Sequence, residues 1–513
     1  MRRLGYMALA GLLAGAIPLG MAASQQKPPA LGGPGPVQGD KFAQPPVAPA
    51  PVPQGGKFAE PPAPPAGRAS PPAARQGGKP GAEAAAPRAV APPPPGEPAT
   101  IGRFRALLGP DTSLTYRSAE VIDPARDGVR LADVVLERPG RRATMEELTL
   151  DGLRDDGVAE ATARGIVLRD ADGGATIARL RLAGLTVRRP PPGEELRPDM
   201  LSADLLRIEG LAVAGESEVG IAELVIEDYD PGRAGRLTLS GLDIRAPQAE
   251  EVDRVRIARL ALRGIDLAAS FAALVAKEAP PQPPGSYALE VEGVALAKGD
   301  RPLGSLGSLR MGGEAATGGP ETGSLALREI RVEPFPGIAE WLRRFGYQAL
   351  VADLTAEGRY DRATGRLEFT SLSLAGREIG ALGLSMVLDG MTPQAAEAQD
   401  LQAVRLVSLG LRYVDHSLLG RFIRQQAQEA QQSEQEVREE YAAMAEATLA
   451  DSGKGGGLEG LRDAVLRFIR GQARELEITA RPPQPLSFSD LAAAPPEDAT
   501  AAQRMLGLSV TAR

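Results

Sequence analysis

The sequence predicts a mainly β protein: a repetitive, elongated and curved antiparallel β-sheet with short interrupting helices and a C-terminal helical hairpin. Three observations predict it. First, a motif, Leu-x-Leu-x-Gly-Leu-x-Val, begins at Leu148, Leu180, Leu206, Leu237, Leu260 and Leu289, with a looser copy at Leu372. Its six central glycines fall 32, 26, 31, 23 and 29 residues apart, an irregular spacing that still suits one supersecondary unit per repeat. Second, the strands of the meander after Gly346 are joined too closely for a parallel crossover. Third, the last hundred residues change from alternating to helical spacing of apolar side chains.

Within the motif the apolar residues alternate before the glycine, as in Leu180 and Leu182, and resume one position out of phase after it, at Leu185 and Val187. A slip of one residue would turn the second half of the strand over. A β-bulge at the glycine corrects this, because glycine tolerates the dihedral angles a bulge needs. A tight turn between two short strands is the competing reading, although only Asp151-Gly152 has the chemistry of one.

Composition narrows the chemistry. The 513 residues contain no cysteine and one histidine, His416, which excludes disulfides, thiol catalysis and most histidine-based metal sites. Aromatic residues are 4%, so the core must be built from Leu, Val, Ile and Ala. The formal net charge of −8, with no local basic footprint, argues against a nucleic-acid partner. Arginine outnumbers lysine 51 to 7 and asparagine is absent, a bias that reads as a GC-rich genome rather than arginine chemistry.

In chain order, residues 1–23 read as a secretory signal, with Arg2 and Arg3 before an apolar run that ends in small residues at Ala22 and Ala23. The run is broken by Pro18, which suits a cleaved peptide better than a retained anchor. Residues 24–100 carry 22 of the 46 prolines and few bulky apolar residues, the composition of a disordered linker. Residues 101–412 are the expected β-domain. Two helices are expected to interrupt it, from Leu267 and from Pro336; the second puts Ile338, Trp341, Leu342 and Phe345 on one face. Packing over the sheet edge is the simpler reading of that helix, and contact with a surface through Trp341 and Phe345 the sharper one. Residues 349–391 are expected to form the clearest meander. Residues 413–513 are expected to form a helical hairpin, from about Ser417 to Leu449 and from Leu458, followed by strands.

Catalytic motifs are not found. No Gly-Lys pair continues into a phosphate loop, and no nucleophile elbow is present. Asp415, His416 and Ser417 are adjacent, which suits a helix start capped by Asp415 or Ser417 and not a triad. Asp170, Asp172 and Gly173 lack the later ligands of a calcium loop. No cofactor is implied.

From Asp111 to Met391, the repeated strands and the meander AEGRYDRATGRLEFTSLSLAG resemble the AsmA-like proteins of the Gram-negative envelope. The C-terminal part, from LGLRYVDHSLLGRF onward, is similar to DUF945-type periplasmic proteins. The AsmA-like resemblance implies a long curved sheet whose apolar face accommodates phospholipid or another envelope lipid. The face residues it nominates are Leu180, Leu182, Leu206, Ile208, Leu237, Leu239, Leu260, Leu262, Leu289 and Val291. It also implies a periplasmic protein without enzymatic activity. The alternative is a structural or assembly factor with an ordinary packed β-core and no ligand, meeting envelope proteins through its linker or C-terminal helices.

Overall fold

The computed structural model describes residues 97–513 except 110, 171–172, 189–195, 282–284, 316–318, 398–401, 452–458, 488 and 491–498. The expected export segment and nearly all of the proline-rich segment therefore lie outside the described residues, as does Asp172.

Among the described residues, twenty strands make one long, open antiparallel sheet rather than a closed barrel. At its first edge β1 (Ser113–Thr115) and β2 (Ser118–Asp123) lie end to end along β3 (Gly128–Arg138). The chain then meanders through β4 (Arg141–Arg154), β5 (Gly157–Asp170), β6 (Gly173–Val187), β7 (Leu201–Ala214), β8 (Glu218–Tyr229) and β9 (Gly235–Arg245). It continues through β10 (Arg254–Ile265), β11 (Gly285–Lys298), β12 (Arg301–Ala315), β13 (Glu321–Val332), β14 (Leu350–Asp361), β15 (Arg366–Gly376), β16 (Gly380–Asp389) and β17 (Arg405–Asp415). Each strand from β3 to β17 pairs with the next. Strand β17 crosses the expected boundary at 412 and also pairs with β18 (Glu475–Ala480) and β19 (Leu486–Ser487); β20 (Leu508–Ala512) pairs with β18.

The motif glycines are bulges, not turns. All six lie inside strands with φ between 62° and 81°, left-handed values that cost an L-residue about 1–2 kcal/mol. Register shows how the bulges are accommodated. Asp151 faces Glu160 and Leu153 faces Val158, so β4 and β5 stay in step on both sides of Gly152 and its partner Ala159. Both strands change phase at the same level, and the two extra residues cancel. The same opposition of glycine and a small residue continues sideways: Gly210 meets Ala178, Gly241 meets Ala222 and Gly293 meets Ala258, with no room between them for a second methyl.

By register, Asp133, Glu146, Gly165, Ala178, Gly210, Ala222, Gly241, Ala258, Gly293, Gly307 and Glu329 form one transverse row from β3 to β13. Every second member has a positive φ, including Asp133 at 50° and Glu329 at 55°. A second row, six residues away along each strand, includes Gly152, Ala159, Gly184, Asp204 and Asp228. With two phase changes per strand, core residues recur at intervals of three, two and three, as in Ile177, Leu180, Leu182 and Leu185.

Eight helices are assigned among the described residues. Helix α1 (Ala99–Leu108), not anticipated, buries Ile101 and Phe104 against the first strands. Helix α2 (Leu267–Ala276), as expected, is capped by Asp266, which accepts from Ala269 N at 2.9 Å and from Gly232 N at 2.7 Å. Helix α3 (Ala339–Arg344) joins β13 to β14, and α4 (Pro393–Glu397) precedes β17. The single first helix expected from Ser417 to Leu449 is two, α5 (Leu418–Ala430) and α6 (Glu434–Asp451). Gln431 turns left-handed at φ 56°, and a capping box restarts the helix: Glu436 accepts from Ser433 N at 2.8 Å, while Ser433 Oγ accepts from Glu436 N at 3.2 Å. Helix α7 (Glu459–Ile469) packs on β18 and β20, and α8 (Ala499–Leu506) on β20.

Candidate functional site

The double phase change places the motif's apolar residues on a single face. Leu180, Ile208, Leu224, Leu239, Leu260 and Val291 are successive cross-strand partners in one transverse ladder. Leu182, Leu206, Ile226, Leu237, Leu262 and Leu289 form the adjacent one. All ten residues nominated from the sequence therefore share a face. Both ladders run further in each direction, the first from Leu131 through Leu309, Leu327, Leu354, Leu374 and Leu382 to Tyr413. The opposite face is polar. There Arg164–Glu147 at 3.4 Å, Arg179–Glu209 at 3.5 Å and Arg181–Glu160 at 2.9 Å form cross-strand ion pairs that favour this register more than they add stability.

Burial divides the apolar face. Leu237, Leu239, Leu260, Leu262, Leu289 and Val291 are 2–6% exposed, within a cluster that includes Leu267 and, packed against it, Phe271 of α2. Leu180, Leu182, Leu206 and Ile208 are half-buried. The open stretch lies outside the nominated set: Leu374 and Leu382, paired across β15 and β16, are 47% and 42% exposed. Their signal in the sequence is the looser motif copy at Leu372. Helices lie at both ends of the face. Helix α1 covers its first strands, and Phe468 of α7 meets Tyr413 edge-on with ring centroids 5.8 Å apart. Burial raises the Tyr413 phenol, as does its hydrogen bond to Asp415 at 2.9 Å.

Trp341 sits on α3 and Phe345 caps its C-terminus, at the end of the sheet where odd-numbered strands finish. Leu342 anchors the helix fully buried, while Trp341 remains 37% exposed, stacked on Tyr347 with centroids 5.7 Å apart. Arg421 of α5 lies over the Tyr347 ring at 4.1 Å and donates to the Phe345 carbonyl at 2.8 Å. Asp415 caps α5 by accepting from Leu419 N at 2.9 Å, and exposed His416 stands outside that cap. On the polar face an open cleft of about 530 Å³, lined by Glu292, Ser308, Arg328, Glu329 and Asp353, lies where Gly307 supplies no side chain. Among the described residues, no group of three His, Cys, Asp or Glu is placed to hold a metal ion.

A family model described only as "Uncharacterized protein" matches residues 373–513, from within β15 to the C-terminus. No curated protein matches the chain.

Proposed function

We propose that this is a noncatalytic, exported envelope protein, periplasmic in a Gram-negative cell, whose apolar sheet face shelters lipid acyl chains. The observation that carries the reading is the run of two uninterrupted apolar ladders that opens to solvent at Leu374 and Leu382. Leu374 and Leu382 stand side by side there on the continuous apolar face, and acyl chains need only burial to bind. The AsmA-like resemblance of the repeats points the same way. No helix among the described residues is long and apolar enough to cross a membrane.

The reading is tested by native mass spectrometry and lipid extraction on the full chain purified from a bacterial envelope. Phospholipid at defined stoichiometry is expected, lost in Leu374→Asp and Leu382→Asp variants that keep the wild-type circular dichroism. A clean apo mass and no uptake of added phospholipid would sink it. The 2–6% exposure of the six nominated residues on β9–β11 favours a second reading for that stretch, an ordinary packed core in a structural factor. That reading predicts the apo mass.

A further inference from the structure

Helix α2 is unlike the other helices that cover the apolar face. Its ten residues, LAASFAALVA, carry no charge. Their one hydroxyl, on Ser270, donates to the carbonyl of the helix's own cap, Asp266, at 2.6 Å. A helix that is apolar all round belongs in an interior, yet only Leu267 and Ala268 are buried and Val275 is 59% exposed. Underneath, Leu267 and Phe271 join the cluster that holds Leu237, Leu262 and Leu289, three of the shielded face residues. Phe271 also meets the Tyr229 ring at 6.2 Å, and Leu267 reaches over Gly235 at the start of β9, where a Cβ would stand 2.9 Å from the leucine Cδ1. The helix therefore closes one end of the face, over β8–β11.

Little holds α2 there. Helix α1 is tied down by Arg103, which donates to Asp127 at 2.9 Å, and by Arg105, which donates to the Leu114 carbonyl at 2.7 Å. Among the described residues, no side chain of α2 makes a hydrogen bond or ion pair with a strand. Its polar anchor is the cap, where the Asp266 carboxylate bridges Ala269 N of the helix and Gly232 N of the β8–β9 turn. At the far end Lys277 turns left-handed at φ 60°, and Pro280 and Pro281 follow, so the helix is bounded there by chain that does not continue it. Few buried side chains and a single clamp are the properties of a segment that opens by itself while the sheet stays folded. The outer side of α2 is apolar too, so an acyl chain passing beneath it meets no charge that must be desolvated. We propose that α2 is a lid, which lifts from the strand ends of β8–β11 when the Asp266 clamp lets go and admits acyl chains to Leu237, Leu262 and Leu289. The admission of lipid rests on the function proposed above; the lifting does not.

The chain has no cysteine, so an introduced thiol reports on one place. Three full-chain variants with wild-type circular dichroism are treated with a thiol-reactive reagent under native conditions. Leu262→Cys and Leu289→Cys lie in the cluster beneath the lid, and Leu131→Cys lies on β3 in the cluster beneath α1. The two lid sites should be modified about tenfold faster than Leu131→Cys, or more. Adding Asp266→Ala, which removes the helix cap, should quicken them about tenfold further and leave Leu131→Cys unchanged. Equal rates at all three sites, or an acceleration by Asp266→Ala that Leu131→Cys shares, would mean that only the whole sheet opens and would overturn the lid. Vesicles of phosphatidylglycerol and phosphatidylethanolamine are then added. Slower modification at the two lid sites alone would support admission of phospholipid under α2. Fast modification that phospholipid leaves unchanged, with no uptake of lipid by mass, would support the lifting helix and defeat the lipid-sheltering function, which separates the two failures.

Discussion

Between β3 and β13 the bulges on neighbouring strands are opposed and the ladders keep step, apart from slips at the strand ends near Ile265 and Ala297. Between β13 and β17 each bulge stands on one strand and the register moves by one: after Leu327, at Thr370 against both neighbours of β15, and at Val407. An extra residue matched by its partner changes the phase of both strands without unpairing either. An unmatched one bends its strand and leaves backbone to be satisfied otherwise, as Thr370 Oγ1 does by donating to the Glu357 carbonyl at 3.1 Å. The matched arrangement has a left-handed residue on every second strand, opposite alanine at Ala159, Ala178, Ala222 and Ala258 and opposite a carboxylate at Glu146 and Asp204. This chain has no asparagine, so glycine fills most of those places and Asp133, Asp228 and Glu329 the others. The two regions also differ in cover, since the matched rows carry the shielded leucines and the unmatched ones carry Leu374 and Leu382.

The largest contrast should come from the same substitution in each region. Leu239→Ala removes a 6%-exposed side chain from the second cluster and should cost about 2–5 kcal/mol. Leu374→Ala, at a 47%-exposed position, should cost no more than about 0.5 kcal/mol. Urea denaturation followed by far-ultraviolet circular dichroism measures both; equal losses would mean that the open stretch is covered in solution.

A smaller effect separates the glycines. Gly241→Ala places a methyl at φ 64° and 2.7 Å from Ala222 Cβ, for a cost of about 2 kcal/mol. Gly383, in β16, has ordinary strand geometry and meets Arg412 only at 3.8 Å, so Gly383→Ala should stabilise by about 0.5–1 kcal/mol. Shifts of the same sign in both variants would erase the distinction between a matched bulge and a plain strand glycine.

These contrasts also mark what the sequence makes legible. The phase slip from Leu182 to Leu185 announces the bulge, because alternation is a local property of one strand. The partners Ala159, Ala178, Ala222 and Ala258 carry no such mark, since an alanine opposite a glycine is visible only once register is known. The ten nominated residues share a face for the same local reason. Their burial depends on neighbours several strands away, which is why the open stretch falls at Leu374 and Leu382 instead. The break between α5 and α6 is legible too, since Ser433 and Glu436 spell a capping box within a run of otherwise uninterrupted helix formers. Helix α1 gives a fainter signal, Ile101, Phe104 and Leu108 behind Pro98, at the edge of a segment dominated by proline.

Where the two regions join, Glu329 holds φ 55° without being glycine, aspartate or asparagine. Its backbone N–H donates to Asp353 Oδ1 at 2.7 Å, a contact that Glu329→Gly retains. Relief of the left-handed strain exceeds the added chain entropy by about 0.5 kcal/mol, so the variant should be more stable by that amount. A loss in thermal unfolding would show that the Glu329 side chain, which lines the polar cleft, holds the junction together.

The smallest effect is one of pH, and here the two regions should behave alike. Arg254 donates to both Asp243 oxygens, at 3.0 and 2.7 Å, and these hydrogen bonds hold that carboxyl below the usual carboxylate range. Arg412 does the same to Glu475, at 2.9 Å to each oxygen. A carboxyl whose folded pKa is depressed contributes stability above its unfolded value, near 4, and loses it as pH falls through the folded one. Arg254→Gln and Arg412→Gln should therefore each be slightly less stable than the parent at pH 7 and indistinguishable from it near pH 2. Tyr229 works at the other extreme. Burial, with Asp199 and Asp266 nearby, pushes its phenol up to about 12. The folded state then holds its proton while the unfolded state has lost it, so stability declines as pH rises from about 10 to 12. Tyr229→Phe should remove this residue's share of the alkaline decline, while the raised phenols of Tyr116, Tyr287, Tyr360 and Tyr413 keep theirs, and should leave the acid side untouched; a variant that instead changes the acid limb would place the titrating group elsewhere in the sheet.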